Sequence, residues 1–580
     1  MRISSLSVLF LLSGIFLMPF LSACASKVEP ADMVVRNGKI ATMDAEKPEV
    51  RALAIRGDAI AATGTEAEIQ PYIGPDTKVI DLGGMLAIPG FIESHGHFTS
   101  LGETKLELDL TRAANWDEIV AMVAAKVKGS KPGGYILGHG WHQEKWNRKP
   151  APNVEGFPVH DALSKAAPAN PVLLAHASGH ITFGNAKAME LAGITPRTAN
   201  PPGGDILHDT KGNPTGVFRE NAADLLTRAL DDARSKRTAA QVEADERKIV
   251  ALASEDCLAK GITSFYDAGQ PFSTVDFYKK LADEGNLKLR LWVMLQENNK
   301  SLEQSIAKYK LIDYGNRHLT VRAIKRLVDG ALGSRTAWLL QPYADLPTST
   351  GIITYPPADL TETARIAMEN GFQLCTHAIG DRANRETLNV YETVFKAHPD
   401  KKDLRWRIEH AQHINTADIP RFGALGVIAA MQGVHATSDA PYVLARLGAQ
   451  RAEEGAYVWQ KLMKTGAIVS NGTDVPVEDA NPIACYYASV SRKTKDGSVF
   501  YPDQRMSREE ALKSYTINAA YSGFEENNRG SLKPGKLADI TILSKDILTV
   551  PEDEIPATVV IYTIVGGRIM YSKYWPSAAF

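Results

Sequence analysis

The sequence predicts an α/β protein: a (β/α)8 TIM-like barrel with a small composite β-sandwich domain from both termini and a long insertion after barrel strand 1. Eight apolar strand patterns occur along the middle of the chain, and eight strands are the number that closes a parallel barrel. Short strands with tight-turn signals occur at both ends, and neither end could bury a core alone. One interval between strand patterns is too long for a structureless loop, which predicts an inserted subdomain.

The composition excludes several other classes of protein. The 580 residues carry 65 basic against 67 acidic side chains, a net charge of −2, with no run of lysine or arginine, so we expect no nucleic-acid partner. Cys24, Cys257, Cys375 and Cys485 are widely spaced and form no Cys-x-x-Cys pair, which argues against a disulfide scaffold. A chain of this length can hold several domains or one large barrel with insertions.

Residues 1–23 have the form of a signal peptide. Arg2 precedes an apolar stretch over 8–21, and the segment Leu-Ser-Ala-Cys24 closes this region. Bacterial lipoprotein signals have the same form, and their cysteine is lipidated and becomes the first residue of the mature chain. A plain cleaved signal and a membrane-spanning anchor are the alternatives, although the apolar run is short for a span. We therefore expect an exported protein, anchored to a membrane by a lipid on Cys24 and facing the periplasm or cell surface, with residues 24–31 as a linker.

Residues 32–86 and 532–580 are predicted to pair into the composite β-domain. In the first segment, an Asn-Gly and a Gly-Asp pair separate short runs of alternating apolar residues, which is a hairpin signal. The second segment contains an apolar strand pattern at 538–543 and a Gly-Gly hairpin at 559–571.

Residues 87–531 are predicted to form the barrel. Its strands are expected at 87–97, 262–267, 289–295, 321–329, 371–377, 404–410, 426–432 and 467–474, with helices at 241–260, 360–370 and 383–397 among the connections. Ser507 and Glu510 form a capping-box signature that opens a further helix, which is expected to run to about residue 520. The inserted lid subdomain covers about 98–240 and is expected, from its Gly, Pro and Trp content, to be irregular and turn-rich.

Ligand-type side chains fall at the carboxyl ends of predicted strands 1, 4, 5, 6 and 8, the end at which TIM-barrel active sites lie. They are His95, His97, Lys325, His377, His410 and Asp474. Residues i and i+2 of an extended strand face the same side, so His95 and His97 can grip one cation together. Each of these residues taken singly is more often structural, but the set at barrel spacing predicts a metal centre.

The ligand types indicate which cofactor to expect. Imidazole favours zinc or a similar borderline divalent metal. His377 and His410 could hold a second cation while Asp474 binds the first beside its water, so one ion and two ions are both compatible with the sequence. Two ions bridged by hydroxide would lower the pKa of water and polarise a carbonyl. A buried, neutral Lys325 could take up CO2 and supply a bridging carbamate.

Several longer motifs accompany these residues. They are Pro89-Gly-Phe-Ile-Glu93-Ser-His95-Gly-His97, Ser178-Gly-His180, Pro202-Gly-Gly-Asp-Ile206, Asp329-Gly-Ala-Leu-Gly-Ser-Arg335-Thr, Thr376-His377-Ala-Ile-Gly-Asp381, Arg407-Ile-Glu-His410 and Asn471-Gly-Thr-Asp474. From residue 31 to about residue 571 the chain resembles the metal-dependent amidohydrolases of the YtcJ-like branch, amidohydrolase family 3. The resemblance implies metal on the four histidines and Asp474, and a carboxylated Lys325. Glu93 departs from the family, in which aspartate is common, at a position that is not expected to bind metal.

The resemblance also implies an activity on a small-molecule substrate. Metal-activated hydroxide would attack an amide, N-acyl or cyclic-amide carbonyl, and Asp474 would pass the proton from water to the leaving nitrogen. Two alternatives stay open: hydrolysis of another bond on the same site (a lactone, a phosphoester or a deamination), or a non-catalytic, surface-tethered metal- or solute-binding lipoprotein. A homodimer, the commonest assembly of soluble proteins, is compatible with the sequence.

Four further residues are candidate substrate contacts. His180, in the insertion, is expected to reach the substrate and polarise its carbonyl, or else to pack its own loop. Arg335 could bind an anionic group of the substrate or anchor its loop by an ion pair. Trp141 and His142 could line the pocket or form the core of the lid.

Overall fold

The computed structural model describes residues 28–574, and a parallel barrel of eight strands lies at its centre. The barrel strands are β1 (Phe91–Gly96), β2 (Ile262–Gln270), β3 (Arg290–Leu295), β4 (Leu319–Leu327), β5 (Gln373–Ala378), β6 (Arg407–His410), β7 (Ile428–Gln432) and β8 (Val469–Gly472). Each strand pairs in parallel with the next, and Leu311–Asp313 adds a short antiparallel strand to β4. The predicted (β/α)8 barrel is confirmed, because all eight strands overlap the predicted ranges.

The last strand returns to the first and nearly closes the barrel. The backbone N–H of Asp474 donates a hydrogen bond to the carbonyl oxygen of His95 at 2.8 Å. The Glu93 carboxylate accepts hydrogen bonds from the backbone N–H of Thr473 at 2.7 Å and from its hydroxyl at 2.9 Å. These contacts join the carboxyl ends of β1 and β8.

Helices cover the outside of the barrel, because each connection between parallel strands must cross back along the sheet. From β1 to β8 they are Phe98–Thr104, Ala239–Ala259, Phe272–Asp283, Asn299–Ser305, Tyr314–Arg317, Pro357–Asn370, Asp381–Ala397, Ile419–Leu425, Gly433–Leu447, Ala449–Gly455 and Trp459–Met463, with a 3-10 turn at Ile306–Tyr309. After β8 they are Pro482–Ser491, Arg508–Ser514 and Ile517–Ser522, with a 3-10 turn at Pro502–Gln504. Ser507 and Glu510 form a capping box, but their helix ends at Ser514 because Thr516 leaves the helical region of the backbone.

The two ends of the chain form one β-domain with two sheets. The strand order of one sheet is Ala59–Gly64, Ala52–Arg56, Met33–Arg36, Lys78–Asp81. The strand order of the other is Arg568–Ser572, Val560–Val565, Ile540–Leu543, Leu86–Pro89, Lys39–Ala41, Glu49–Val50. These segments also contain a helix at Glu66–Ile69 and 3-10 turns at Gln70–Tyr72 and Glu552–Ala557. The predicted strand 87–97 therefore divides into Leu86–Pro89 in this domain and β1 in the barrel. The division falls at Gly90, where the Thr263 side chain lies 2.2 Å from the position that a Cβ would take.

The insertion after β1 is a folded α/β unit, and the expectation of irregular structure was wrong. The strand order of its six-stranded sheet is Gly204–His208, Pro214–Glu220, Ile181–Gly184, Val172–His176, Ile136–Trp141, Leu108–Asp109. The insertion also contains a two-stranded ribbon of Asn153–Val154 and Phe157–Pro158 and a 3-10 turn at Gln143–Lys145. Its helices are Trp116–Val127, Asp161–Ala166, Ala186–Leu191 and Asp224–Arg234. Trp116, Trp141 and Phe183 pack together in a buried core. Trp141, one of the two tryptophans that suggested a turn-rich lid, is thus a core residue, and the other, Trp146, is partly buried against the same core.

The predicted signal peptide and Cys24 lie outside the described residues. Between residues 28 and 574 no helix is long and apolar enough to cross a membrane. Cys257, Cys375 and Cys485 are free and buried.

Candidate metal centre and active site

The six predicted ligands lie at one rim of the barrel. His95 is on β1, Lys325 on β4, His377 on β5 and His410 at the end of β6, while His97 and Asp474 follow the last residues of β1 and β8 by one and two positions. Because the eight strands are parallel, their carboxyl ends share this rim, and side chains far apart in the sequence meet there.

His95, His410 and Asp474 form the tightest group of possible ligands. One ligand atom from each lies within 4.8 Å of the others, and all three residues are buried. His95 Nε2 is 3.5 Å and His97 Nε2 is 3.2 Å from Asp474 Oδ1, yet this buried oxygen accepts no aligned hydrogen bond from any described residue. Imidazole nitrogens that face an unpaired buried carboxylate oxygen are an arrangement that a shared cation satisfies. The residues present therefore fit a divalent metal.

Lys325 is buried beside this group without a carboxylate partner. Its Nζ lies 3.4 Å from His95 Nε2, and within residues 28–574 it forms no ion pair with an aspartate or glutamate. Burial lowers the pKa of Lys325, and the more distant charges of Glu409 and Asp474 oppose this effect only in part. A lower pKa enlarges the fraction of neutral amine, which is the form that reacts with CO2.

His377 lies next to the group, with its Nε2 turned toward the loop after β4. This nitrogen is 3.2 Å from the carbonyl oxygen of Gly330, and the ring centroid is 4.5 Å from that of His410. Burial holds the pKa of His377 well below its ordinary value, and the neighbouring charge of His180 adds to the effect. The ring is therefore neutral, as a metal ligand must be, but its Nε2 contacts Gly330 in this structure.

Neighbouring side chains form hydrogen bonds with Nδ1 of His95 and with Nδ1 of His410. Glu409 binds His95 Nδ1, and Arg407 donates to the two oxygens of Glu409 at 2.7 and 2.8 Å. Gln432 Oε1 lies 2.8 Å from His410 Nδ1 and accepts its hydrogen bond. Such outer partners fix the tautomer and orientation of metal-binding histidines. The sequence motif that contains His410 also contains Arg407 and Glu409, but only the structure shows what these two residues do.

Three buried carboxylates that the sequence did not assign support the rim in different charge states. Burial raises the pKa of Glu409, but Arg407 and His95 outweigh burial and lower the pKa to about 2. Burial dominates at Glu93 and raises its pKa to about 8, in spite of the hydrogen bonds from Thr473. Burial also raises the pKa of Asp329 to about 7, although its carboxylate accepts three backbone N–H groups from the loops after β4 and β5 at 2.8–3.0 Å. Asp329 thus ties these two loops together.

The backbone at two of the candidate ligands is strained. His410 has φ +73° and Asp474 has φ +59°, in the left-handed region that residues with a Cβ rarely adopt. Strain of this kind persists where the surrounding contacts hold it, and it clusters at functional sites. The bond from the Asp474 N–H to His95 is one such contact.

The insertion covers the rim and places His180 there. The His180 ring centroid is 5.1 Å from that of His377, and its Nδ1 is 2.8 Å from Glu220 Oε2. Burial lowers the pKa of His180, but the Glu220 carboxylate outweighs burial and raises the pKa above its ordinary value. His142 is also buried on this side, with its ring 5.7 Å from that of Tyr442.

A small cavity lies between the insertion and the rim. Its volume is about 40 Å³, and His142, His180, His410 and Asp474 are among the residues that line it. The cavity has room for a reacting group, but its volume is far below the roughly 300–1,000 Å³ of sites that hold a whole small molecule.

Trp141 and Arg335 do not line this cavity. Trp141 is fully buried in the core of the insertion and donates from Nε1 to the carbonyl oxygen of Leu174 at 3.0 Å. Arg335 donates to Asp345 at 2.9 Å and lines a separate cavity. Trp141 therefore lies in the core of the insertion and Arg335 forms an ion pair, which are the structural alternatives that the sequence left open for these two residues.

The chain is similar to a known protein family and to several known proteins. A sequence model of the Amidohydrolase family matches residues 78–571. The chain is 32% identical to Protein LONG AFTER FAR-RED 3 of Arabidopsis thaliana over 97% of each chain, and 30% identical to YtcJ of Bacillus subtilis (strain 168) over 92% of this chain and 98% of that one. It is 27% identical to the N-substituted formamide deformylase of Arthrobacter pascens over 93% of this chain and 98% of the other. The crystal structure of an uncharacterized metal-dependent hydrolase from Pyrococcus horikoshii OT3 aligns with a TM-score of 0.70 at 26% identity, covering 90% of this chain and 99% of that one.

We expect Glu409→Gln to weaken metal binding by roughly 10- to 100-fold, because a neutral amide cannot hold the His95 ring as the carboxylate does. The measurement is metal content after dialysis against graded concentrations of chelator. Glu525→Gln is the matched control, since Glu525 is also buried but contacts Arg529 and Tyr266 instead of a histidine. If the Glu409 variant were folded and kept metal as well as the control, the orienting role of Glu409 would be wrong.

Proposed function

Because the chain belongs to the Amidohydrolase family, we propose that it is a metal-dependent hydrolase of carbon–nitrogen bonds other than ordinary peptide bonds, in amides, N-acyl compounds or cyclic amides. The observation that carries the proposal is the unpaired Asp474 carboxylate oxygen, buried against the imidazole nitrogens of His95 and His97. A relative that is an N-substituted formamide deformylase supports the choice of a carbon–nitrogen bond.

The residues that would hold the metal are the predicted set. His95, His97 and Asp474 would bind one cation, and His377 and His410, with a carboxylated Lys325 between them and the first group, could bind a second. Imidazole and carboxylate ligands favour zinc. A divalent cation at this site supplies Lewis acidity toward water and toward the substrate carbonyl.

The chain's own residues would position the substrate and move the proton. Asp474 faces the small cavity and would accept the proton of the attacking water, then deliver it to the leaving nitrogen. Glu220 favours the protonated His180 ring, whose Nε2–H would donate to the substrate carbonyl oxygen. A bond forms between the water oxygen and the carbonyl carbon and the carbon–nitrogen bond breaks, which gives an acid and an amine, both on one molecule when the amide is cyclic.

We expect Asp474→Asn to lower turnover by roughly 10²- to 10⁴-fold while leaving the fold intact, because the amide cannot accept the proton of water. The measurement is hydrolysis of a panel of N-substituted formamides, N-acyl amines, lactams, lactones and phosphoesters by protein of known metal content, with and without chelator. Asp245→Asn is the control, since Asp245 is exposed and pairs only with Arg237 among described residues.

Each outcome of this panel decides between functions. Chelator-sensitive cleavage of amides or lactams supports the proposal. Cleavage of lactones or phosphoesters alone would contradict the choice of bond, and no cleavage by metal-loaded protein would favour the non-catalytic alternative. A rate near that of wild type in the Asp474 variant would contradict the role of this residue.

We also propose that Lys325 carries a carbamate in the metal-loaded protein, because its buried amine lies against His95 without a carboxylate partner in residues 28–574. Native mass spectrometry in bicarbonate buffer should show the added mass of one CO2, which Lys325→Met removes. Lys260→Met should retain it, because Lys260 pairs with Asp256 and Asp479 away from the rim. An active, metal-loaded protein with an unmodified Lys325 would rule out the carbamate.

We propose from residues 1–24 that the chain is exported and anchored by a lipid on Cys24. Metabolic labelling with a fatty acid should mark the wild-type protein and place it in the membrane fraction. Cys24→Ala should abolish the label, whereas Cys257→Ala should retain it. Wild-type protein that is soluble and unlabelled in the producing cell would contradict the proposal.

A further inference from the structure

A large cavity adjoins the candidate active site on the side of β7 and β8. It has a volume of about 880 Å³ and lies between the helix Gly433–Leu447, which follows β7, and residues 494–502, which follow β8. Tyr442 and Lys145 line both this cavity and the small cavity that contains Asp474. The two cavities are therefore neighbours that share a wall.

The larger cavity has apolar and aromatic walls. Tyr442, Leu444, Val499, Phe500 and Tyr501 are among its lining residues, and we call it the apolar chamber. Leu444 is 53% and Val499 is 38% exposed, although large hydrophobic side chains are usually covered. Exposed apolar side chains that gather in a concave surface mark a ligand site, and 880 Å³ is within the range of such sites.

Charged side chains in the wall nearly cancel. Glu144, Glu453 and Asp496 oppose Lys145 and Lys495 along the lining. A site for a strongly charged group concentrates one sign of charge. The chamber is therefore suited to an uncharged occupant.

The small cavity by itself requires a neighbouring site. Its volume of about 40 Å³ is far below the roughly 300–1,000 Å³ of sites that hold a whole small molecule, so a bulky part of the substrate must lie in an adjoining space. A second neighbouring cavity, of about 470 Å³, is lined by charged residues that include Lys105, Asp109, Arg112 and Asp479. This second cavity has no phenylalanine, tyrosine or tryptophan among its described lining residues, whereas three such side chains line the apolar chamber, so an apolar group would enter the apolar chamber.

We propose that the apolar chamber binds a large uncharged alkyl or aryl group of the substrate. The substrate class is thus a carboxamide with a bulky apolar group on one side of the bond that is cleaved. This inference rests on the proposed hydrolase function, because the carbonyl of the same molecule must occupy the cavity beside Asp474.

The test compares small and large substrates in matched variants. The first series consists of formamides that carry an N-methyl, N-butyl, N-octyl or N-(1-naphthylmethyl) group. The second series consists of N-methyl amides that carry the same four groups on the carbonyl carbon instead. In the metal-loaded wild type, kcat/KM should rise by about tenfold or more from the smallest to the largest member of one series, because the apolar chamber would bury part of the added apolar surface. Leu444→Asp should lower this selectivity by about tenfold. Leu191→Asp is the control, since Leu191 is 49% exposed but lies in the insertion away from the chamber, and it should leave the selectivity unchanged.

A binding measurement separates this inference from the hydrolase proposal. The probe is N-(1-naphthylmethyl)formamide, whose fluorescence anisotropy reports binding to metal-loaded wild type and to the Asp474→Asn variant without turnover. Binding that Leu444→Asp weakens about tenfold supports the chamber even if no amide is hydrolysed.

Three results would overturn the inference. They are an absence of probe binding, equal binding by the Leu444→Asp and Leu191→Asp variants, and a wild type that does not discriminate by size in either series. A dimer that sediments as a monomer only in the Leu444→Asp variant would show instead that a second copy of the chain covers this surface.

Discussion

The junction between the first and the last barrel strand is the constraint on which the rest of the site depends. The hydrogen bond from the Asp474 N–H to the His95 carbonyl, and the hydrogen bonds from Thr473 to Glu93, fix the relative position of two segments that are far apart in the sequence. Without that junction the carboxylate of Asp474 would not face the imidazole nitrogens of His95 and His97. A slip of one residue in either strand would turn alternate side chains out of the barrel.

Electrostatics divide the buried polar groups at the rim into paired and unpaired ones. Arg407, Glu409 and His95 form a chain in which each member has a partner, so their burial is compensated. Lys325 contacts His95 but has no carboxylate partner among residues 28–574, and one buried oxygen of Asp474 accepts no hydrogen bond from these residues. Buried polar groups are rarely left unsatisfied. The amine of Lys325, which lacks a carboxylate partner, and the unsatisfied oxygen of Asp474 are the groups to which we assign the carbamate and the metal.

The residues that would carry out the reaction and those that would select the substrate lie on different parts of the molecule. The barrel strands carry the residues that would bind metal and move protons, and a rigid sheet keeps them in place. The insertion contributes His180 and His142, while the connections after β7 and β8 form the apolar chamber. Loops on a fixed scaffold can change without disturbing the reacting groups, and this division is common in TIM-barrel enzymes.

The sequence by itself determined the barrel and the list of candidate ligands. Apolar strand patterns at βα spacing are local signals, and each ligand follows such a pattern closely enough to be assigned to a strand end. The insertion was harder to predict, because Trp141 and Trp146 give the same sequence signal in a turn-rich lid as at the core of a sheet.

Only the tertiary structure decided which residues meet. It brought Glu409 to His95, Gln432 to His410 and Glu220 to His180, pairs that are distant in sequence and have no local signal. It also placed Trp141 and Arg335 away from the cavity. The physical reason is that periodicity encodes which face of an element is buried, whereas the partner of a buried polar group depends on how distant elements pack together.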